Sequence, residues 1–171
     1  PEETAAVLHA IISAATTIVE THGGNIQAVQ GDSILAVWRG GTEPSESTVS
    51  QHATNALNAA VDLLAASRSI LPDPDPRQLQ SLALGIGLES GPATVGSFGL
   101  ARRRTHLVMG RAVTIAIRLE EMTAELAHPI LIGENLATYL GPQQLESQGV
   151  FLLDGIVSPC HIYAYPLKRC V

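Results

Sequence analysis

Residues 85–123 read GIGLESGPATVGSFGLARRRTHLVMGRAVTIAIRLEEMT, and their order of glycines, short apolar runs and one helical pattern decides the fold. Leu82 to Leu88 and Thr94 to Phe98 read as strands forming a hairpin around Ser90-Gly91-Pro92, and Thr105 to Met109 reads as a further strand. Gly110 then punctuates the chain before a helix predicted from Arg111 to about Glu125, which carries one inward-placed arginine, Arg118, on an otherwise apolar side. The glycine-rich hairpin is not a phosphate loop, because a strand rather than a helix follows it. The run Arg102-Arg103-Arg104 could help hold phosphates, though a loop charge run is more often a solvated face.

Upstream, Pro1 to His22 opens with Pro-Glu-Glu, places Val7, Leu8, Ile11, Ile12, Ala15, Ile18 and Val19 at helical intervals, and stops at Gly23-Gly24. Ile26 to Gln30 and Ile34 to Trp38 flank Gly31-Asp32 and read as a hairpin with Asp32 at its tip. The polar stretch from Gly40 to Ser50 reads as a loop. A helix is predicted from about Val49 to Arg68, ended by Pro72, Pro74 and Pro76. Downstream, Ile130 to Ile132 reads as a short strand and Asn135 to Leu140 as a short helix. Two tail strands lie within Phe151 to Pro166. Helix, hairpin, helix, hairpin, strand, helix is the order of an α+β fold with helices over one antiparallel sheet. Ferredoxin-like interaction modules share these elements, so the function has to be read from motifs.

A length of 171 residues with 46% hydrophobic residues suits one compact domain, 1–171. The net charge of −6 argues against broad binding of nucleic acid or an anionic membrane, both of which require a cationic surface. The longest apolar stretch, Ala5 to Val19, contains His9, Ser13, Thr16 and Thr17 and falls short of the roughly 20 apolar residues of a membrane helix. No signal peptide is present, and the two cysteines, Cys160 and Cys170, lack metal-ligand spacing, which fits a cytosolic, reduced domain. His22, His52, His106, His128 and His161 show no ligand spacing either, and Trp38 reads as a strand-end core residue.

The 85–123 stretch resembles the heart of the class III nucleotidyl cyclases, whose corresponding run reads roughly GIHTGPVVVGNIG, a short basic segment, then YTVIGDTVNLAARLE. Gly85, Gly91, Pro92, Gly96, Gly99, Gly110, Val113, Arg118, Leu119 and Glu120 fall in register with it. His22 to Trp38 resembles the family segment around its second metal-binding aspartate, with Asp32 in that aspartate's place. Phe151 to Pro166 is similar to the closing family pattern. The resemblance implies a ferredoxin-like class III cyclase fold with an antiparallel-rich sheet. It also implies conversion of ATP or GTP to the 3′,5′-cyclic monophosphate plus pyrophosphate at a head-to-tail dimer interface.

The resemblance further implies magnesium or manganese held by two aspartates, for which hard oxygen ligands are suited. Asp32 matches the second. The first lies on a strand preceding the opening helix, and Asp62, Asp73, Asp75 and Asp154 do not correspond to it: they fall in a helix, a proline-rich loop and a tail strand. Arg118 matches the arginine that stabilises charge on the phosphate in the transition state, a task suited to a planar, always-charged guanidinium. The ribose-orienting asparagine is Thr114, one turn earlier on the same face. The base-selecting lysine is Ala28 and its partner is Leu107, neither of which can hydrogen-bond to a purine through its side chain, and the only lysine is Lys168. Arg118 could instead pair with Glu121 or Glu125. Two readings stay open: a weak or partner-dependent cyclase, as homodimer or cyclase-domain heterodimer, or a catalytically dead cyclase-homology module that dimerises and regulates.

Overall fold

The computed structural model describes residues 2–70, 83–99 and 105–167, which form two compact units, residues 1–84 and 85–171. The arginine run at 102–104, Pro72, Pro74, Pro76, Asp73, Asp75, Lys168, Cys170 and the expected strand start at Leu82 lie outside the described residues.

In the first unit, α1 (Glu2–Thr21) precedes the hairpin β1 (Asn25–Gln30) and β2 (Ser33–Val37), followed by α2 (Glu46–Ile70). The hairpin turn is Gly31-Asp32, with Gln30 paired to Ser33. Gly31 has φ +60°, the left-handed first position that a tight two-residue turn assigns to glycine. A bulge lies between Ile26 and Ala28, and Ala28 pairs with Leu35. Ala15 and Val19 of α1 and Ala53, Ala56, Ala59, Ala60 and Leu64 of α2 are buried; the small α2 residues let the two helices approach closely. The Trp38 indole N–H donates to the His22 carbonyl at 2.8 Å, and its ring packs against Gly24, where a Cβ would lie 2.6 Å away. The His22 imidazole pairs with Asp62 on α2 at 2.7 Å, tying the end of α1 to α2.

Helix α2 begins inside the stretch read as a loop. Ser45 is the reason: its Oγ accepts the Thr48 N–H at 3.2 Å as an N-cap, and Glu46 follows in the first turn. Ser45→Ala is expected to cost about 1 kcal/mol, read as a shift in the denaturant midpoint.

In the second unit come β3 (Ile86–Leu88), β4 (Thr94–Phe98), β5 (Thr105–Met109), α3 (Arg111–Met122), β6 (Ile130–Gly133), α4 (Glu134–Leu140), a 3-10 turn (Pro142–Gln144), β7 (Glu146–Phe151) and β8 (Cys160–Ala164). β3, β6, β8 and β7 form one four-stranded sheet in that order, with β3 parallel to β6 and the other pairs antiparallel. β4 pairs with β5. Two expectations are thereby corrected. Among the described residues the strands form three hydrogen-bonded sets rather than one sheet, and β3 does not form a hairpin with β4.

Close approach of helix to strand explains β3. A Cβ on Gly87 would overlap the Ala116 carbonyl oxygen and lie 2.6 Å from the Glu120 nitrogen, so α3 sits directly on β3, which runs alongside β6. Ile115 and Leu119 of α3, both fully buried, pack with Leu131, Leu153, Ile156, Cys160, Ile162 and Ala164. α3 ends at Met122 rather than near Glu125, because the Thr123 N–H turns to the Glu120 carbonyl and Ala127 takes φ +55°. The first tail strand, expected from Phe151, ends there instead. Residues 152–159 make a glycine- and proline-containing turn, so Asp154 lies in a turn and not in a strand.

Candidate functional site

Helix α3 brings the implied site residues of the second unit onto one strip. Arg111, Thr114 and Arg118 recur at spacings of three and four, hence on one face. The buried stripe of Ile115 and Leu119 fixes that face by anchoring the helix on the sheet. Beside the strip runs the 154–158 turn. Together Arg111, Thr114, Gly155, Ile156, Val157 and Ser158 line an open cleft of about 360 Å³.

Hydrogen bonds fix each side chain. Arg111 Nη2 donates to Ser158 Oγ at 3.0 Å and lies 3.5 Å from the buried Cys160 sulfur. Burial raises the Cys160 thiol pKa, against the pull of the Arg111 charge. Thr114 Oγ1 turns back to the Gly110 carbonyl at 3.4 Å. Arg118, whose side chain is 37% exposed, donates from Nη1 to Glu121 Oε2 at 2.7 Å and from Nε to the Asp154 carbonyl at 3.2 Å. Of the two pairings weighed for Arg118, the one with Glu121 is made. The Asp154 carbonyl as partner could not be read from the sequence, because Asp154 reads there as part of a tail strand.

The remaining site residues are carried by other elements. Asp32 stands exposed at the β1–β2 tip, and Ala28 is half-buried on β1. Leu107, on β5 opposite Gly96, is 38% exposed. Among the described residues no three His, Cys, Asp or Glu side chains converge as a metal site, and Asp32 supplies a single carboxylate. One exposed carboxylate is too few ligands for a resident divalent cation, so the described residues by themselves do not build that site.

One polar group went unnoticed in the sequence. Glu89, at the end of β3, accepts the N–H groups of Ser90 and Leu136 on Oε1 at 2.8 and 2.9 Å, while its buried Oε2 has no hydrogen-bond partner. Gly133 makes room for it, since a Cβ there would overlap the carboxylate. Burial raises the Glu89 pKa above the ordinary glutamate value. Glu134 adds to this, and the backbone N–H groups of Ser90, Leu136 and Asn135 oppose it. A carboxyl that holds its proton more tightly when folded contributes stability that is present at low pH and lost as pH rises through its folded value. Glu89→Gln keeps the acceptor without the charge. Its stability relative to the unsubstituted protein is expected to grow from pH 4 to pH 8, reaching on the order of 1 kcal/mol. Urea unfolding of both proteins across that range measures it; a difference that stays constant with pH contradicts the assignment.

No family model matches the chain. Adenylate cyclase 1 of Rhizobium meliloti is 29% identical over 131 residues, 77% of this chain and 19% of that protein. The adenylate cyclase of Anabaena cylindrica is 29% identical over 122 residues, 71% of this chain and 23% of its own length. The matches thus span about a fifth of these relatives. Among solved structures, the adenylyl cyclase CyaB from P. aeruginosa superposes with a TM-score of 0.77 at 21% identity, covering 99% of this chain and 85% of that one. The guanylyl cyclase Cya2 superposes at 0.71 with 23% identity, covering 99% and 84%. The fold is therefore that of adenylyl and guanylyl cyclase catalytic domains, α+β with an antiparallel-rich sheet. In sequence the chain is similar to adenylate cyclases, and in fold to adenylyl and guanylyl cyclase catalytic domains.

Proposed function

We propose that residues 1–171 act as one cyclase-homology domain of a cyclic-nucleotide signalling protein, facing the cytoplasm and engaging a purine nucleoside triphosphate through Arg118. The observation that carries this reading is the placement of Arg118 one turn beyond Thr114 on an open face of a helix anchored by the neighbouring buried stripe of Ile115 and Leu119. A guanidinium so placed can meet negative charge on a phosphate, and the neighbouring hydroxyl can reach a ribose. In the reaction, the ribose 3′-oxygen bonds to the α-phosphorus as the bond to the β-phosphate oxygen breaks. Pyrophosphate leaves and the hydroxyl proton is lost. The reading includes a magnesium or manganese ion that arrives with the triphosphate; Asp32, a single exposed carboxylate, would not hold it alone. Support from the neighbours includes a guanylate cyclase domain from Catenaria anguillulae solved in complex with GTP.

Activity in isolation is expected to be weak, because Ala28 and Leu107 offer no side-chain hydrogen bonds to a base. No helix among the described residues is long and apolar enough to cross a membrane. The hairpin β4–β5 supports a dimer, homodimeric or with a second cyclase domain and arranged head to tail. Val95, Leu107 and Met109 are 48%, 38% and 45% exposed on it, and a two-stranded ribbon is marginally stable without cover. The same apolar exposure favours a second reading, a dimerising regulatory module without turnover.

Cyclic nucleotide formation from ATP and from GTP, with magnesium and with manganese, by the protein carrying residues 1–171 decides between them. Turnover that disappears in Arg118→Ala supports the cyclase. A folded dimer with no turnover under any of these conditions rejects it in favour of the module.

A further inference from the structure

We infer that Glu121 is a latch on Arg118: its carboxylate occupies the guanidinium edge that a phosphate would take, and a phosphate-bearing ligand has to displace it. The inference rests on the proposed phosphate-facing role of Arg118 and adds a regulation of that site. Glu121 lies one turn beyond Arg118 on α3, with Oε2 2.7 Å from Nη1, and the Asp154 carbonyl holds Nε from the other side. The guanidinium thus spends two of its nitrogens within its own unit. These contacts, with the nearby Asp154 carboxylate, favour the charged guanidinium, the Glu121 hydrogen bond being the largest contribution.

Charge count sharpens the point. The carboxylates of Glu121 and Asp154 offset the Arg118 charge, so an incoming triphosphate meets a weakened cation there. An exposed pair three residues apart is weakly held, so a multivalent anion can break it. Glu121 is a positioning residue in this arrangement, because it acts through Arg118 and touches no ligand.

Binding of inorganic tripolyphosphate, followed by calorimetry at low ionic strength, tests the latch. Glu121→Gln removes the charge on a half-exposed side chain and leaves the helix intact. It is expected to bind about three- to tenfold more tightly than the unsubstituted protein. The gain should vanish in the double variant Arg118→Ala/Glu121→Gln. Glu125→Gln, one turn further along the chain, should bind like the unsubstituted protein. An equal gain in Glu125→Gln, or a gain that persists without Arg118, reduces the effect to net charge and overturns the latch. Binding by the unsubstituted protein that Glu121→Gln leaves unchanged overturns the latch alone. Failure of every variant to bind at millimolar concentration overturns both the latch and the phosphate-facing reading of Arg118.

Discussion

Gly87→Ala is expected to destabilise the second unit by about 3 kcal/mol or more, lowering the melting temperature by roughly 6–12 °C. The added methyl would overlap the Ala116 carbonyl and stand 2.6 Å from the Glu120 nitrogen and 2.9 Å from Leu119 Cβ. Two of those three atoms are helix backbone, which cannot swing aside as a side-chain tip does. Relief therefore requires α3 to lift from β3, which draws Ile115 and Leu119 out of a fully buried cluster. The lift also displaces Thr114 and Arg118, so phosphate binding should weaken with stability. Thermal unfolding of the variant checks this, and a melting temperature within a degree of the original contradicts the packing described for α3 on β3.

Arg118→Ala is expected to lower cyclase turnover by about 10²–10⁴-fold, the range seen when a charge-stabilising donor or an arginine is removed from the site of acyl or phosphoryl transfer. Thermal unfolding should stay unchanged, because the side chain is over a third exposed and its partners, Glu121 and the Asp154 carbonyl, are solvent-accessible at the same face. Arg118→Lys retains the charge without the fork, so an intermediate rate is expected. Measuring kcat and KM separately gives the site of the effect. A rise in KM with kcat unchanged assigns Arg118 to ground-state binding, whereas an equal fall in kcat and kcat/KM assigns it to the transition state.

Much of the fold was legible because local rules governed it. Gly31-Asp32 between alternating runs announced β1 and β2, and Gly110 followed by apolar residues at helical spacing announced α3. The resemblance added what no local pattern held, the register of Arg118 and Asp32 with a family site. Pairing partners were harder. Nothing local to Ile86 indicates that it lies beside Ile130, since a parallel partner is chosen by what packs over both strands, here α3. Asp154 was misplaced for a related reason. Leu152, Leu153 and Ile156 look like strand residues, yet Leu153 and Ile156 turn inward from a loop to close the α3 cluster. Glu89 escaped notice because its significance depends on Gly133 and Leu136, which are distant in sequence.

The strand order has a kinetic meaning as well. β7 and β8 are joined by one short turn and can zip locally, and β6 adds to β8 from nearby in the chain. β3 pairs with β6 only after the intervening ribbon and α3 have been gathered into a closed loop, so its three residues should be the last of that sheet to acquire protection as the chain refolds. In the native protein the same edge should breathe first. Amide hydrogens of Ile86 to Leu88 are then expected to exchange through smaller openings than those of Ile132 and Ile162, and the surface carrying Arg118 would loosen with them while the β6–β8 pair stays closed.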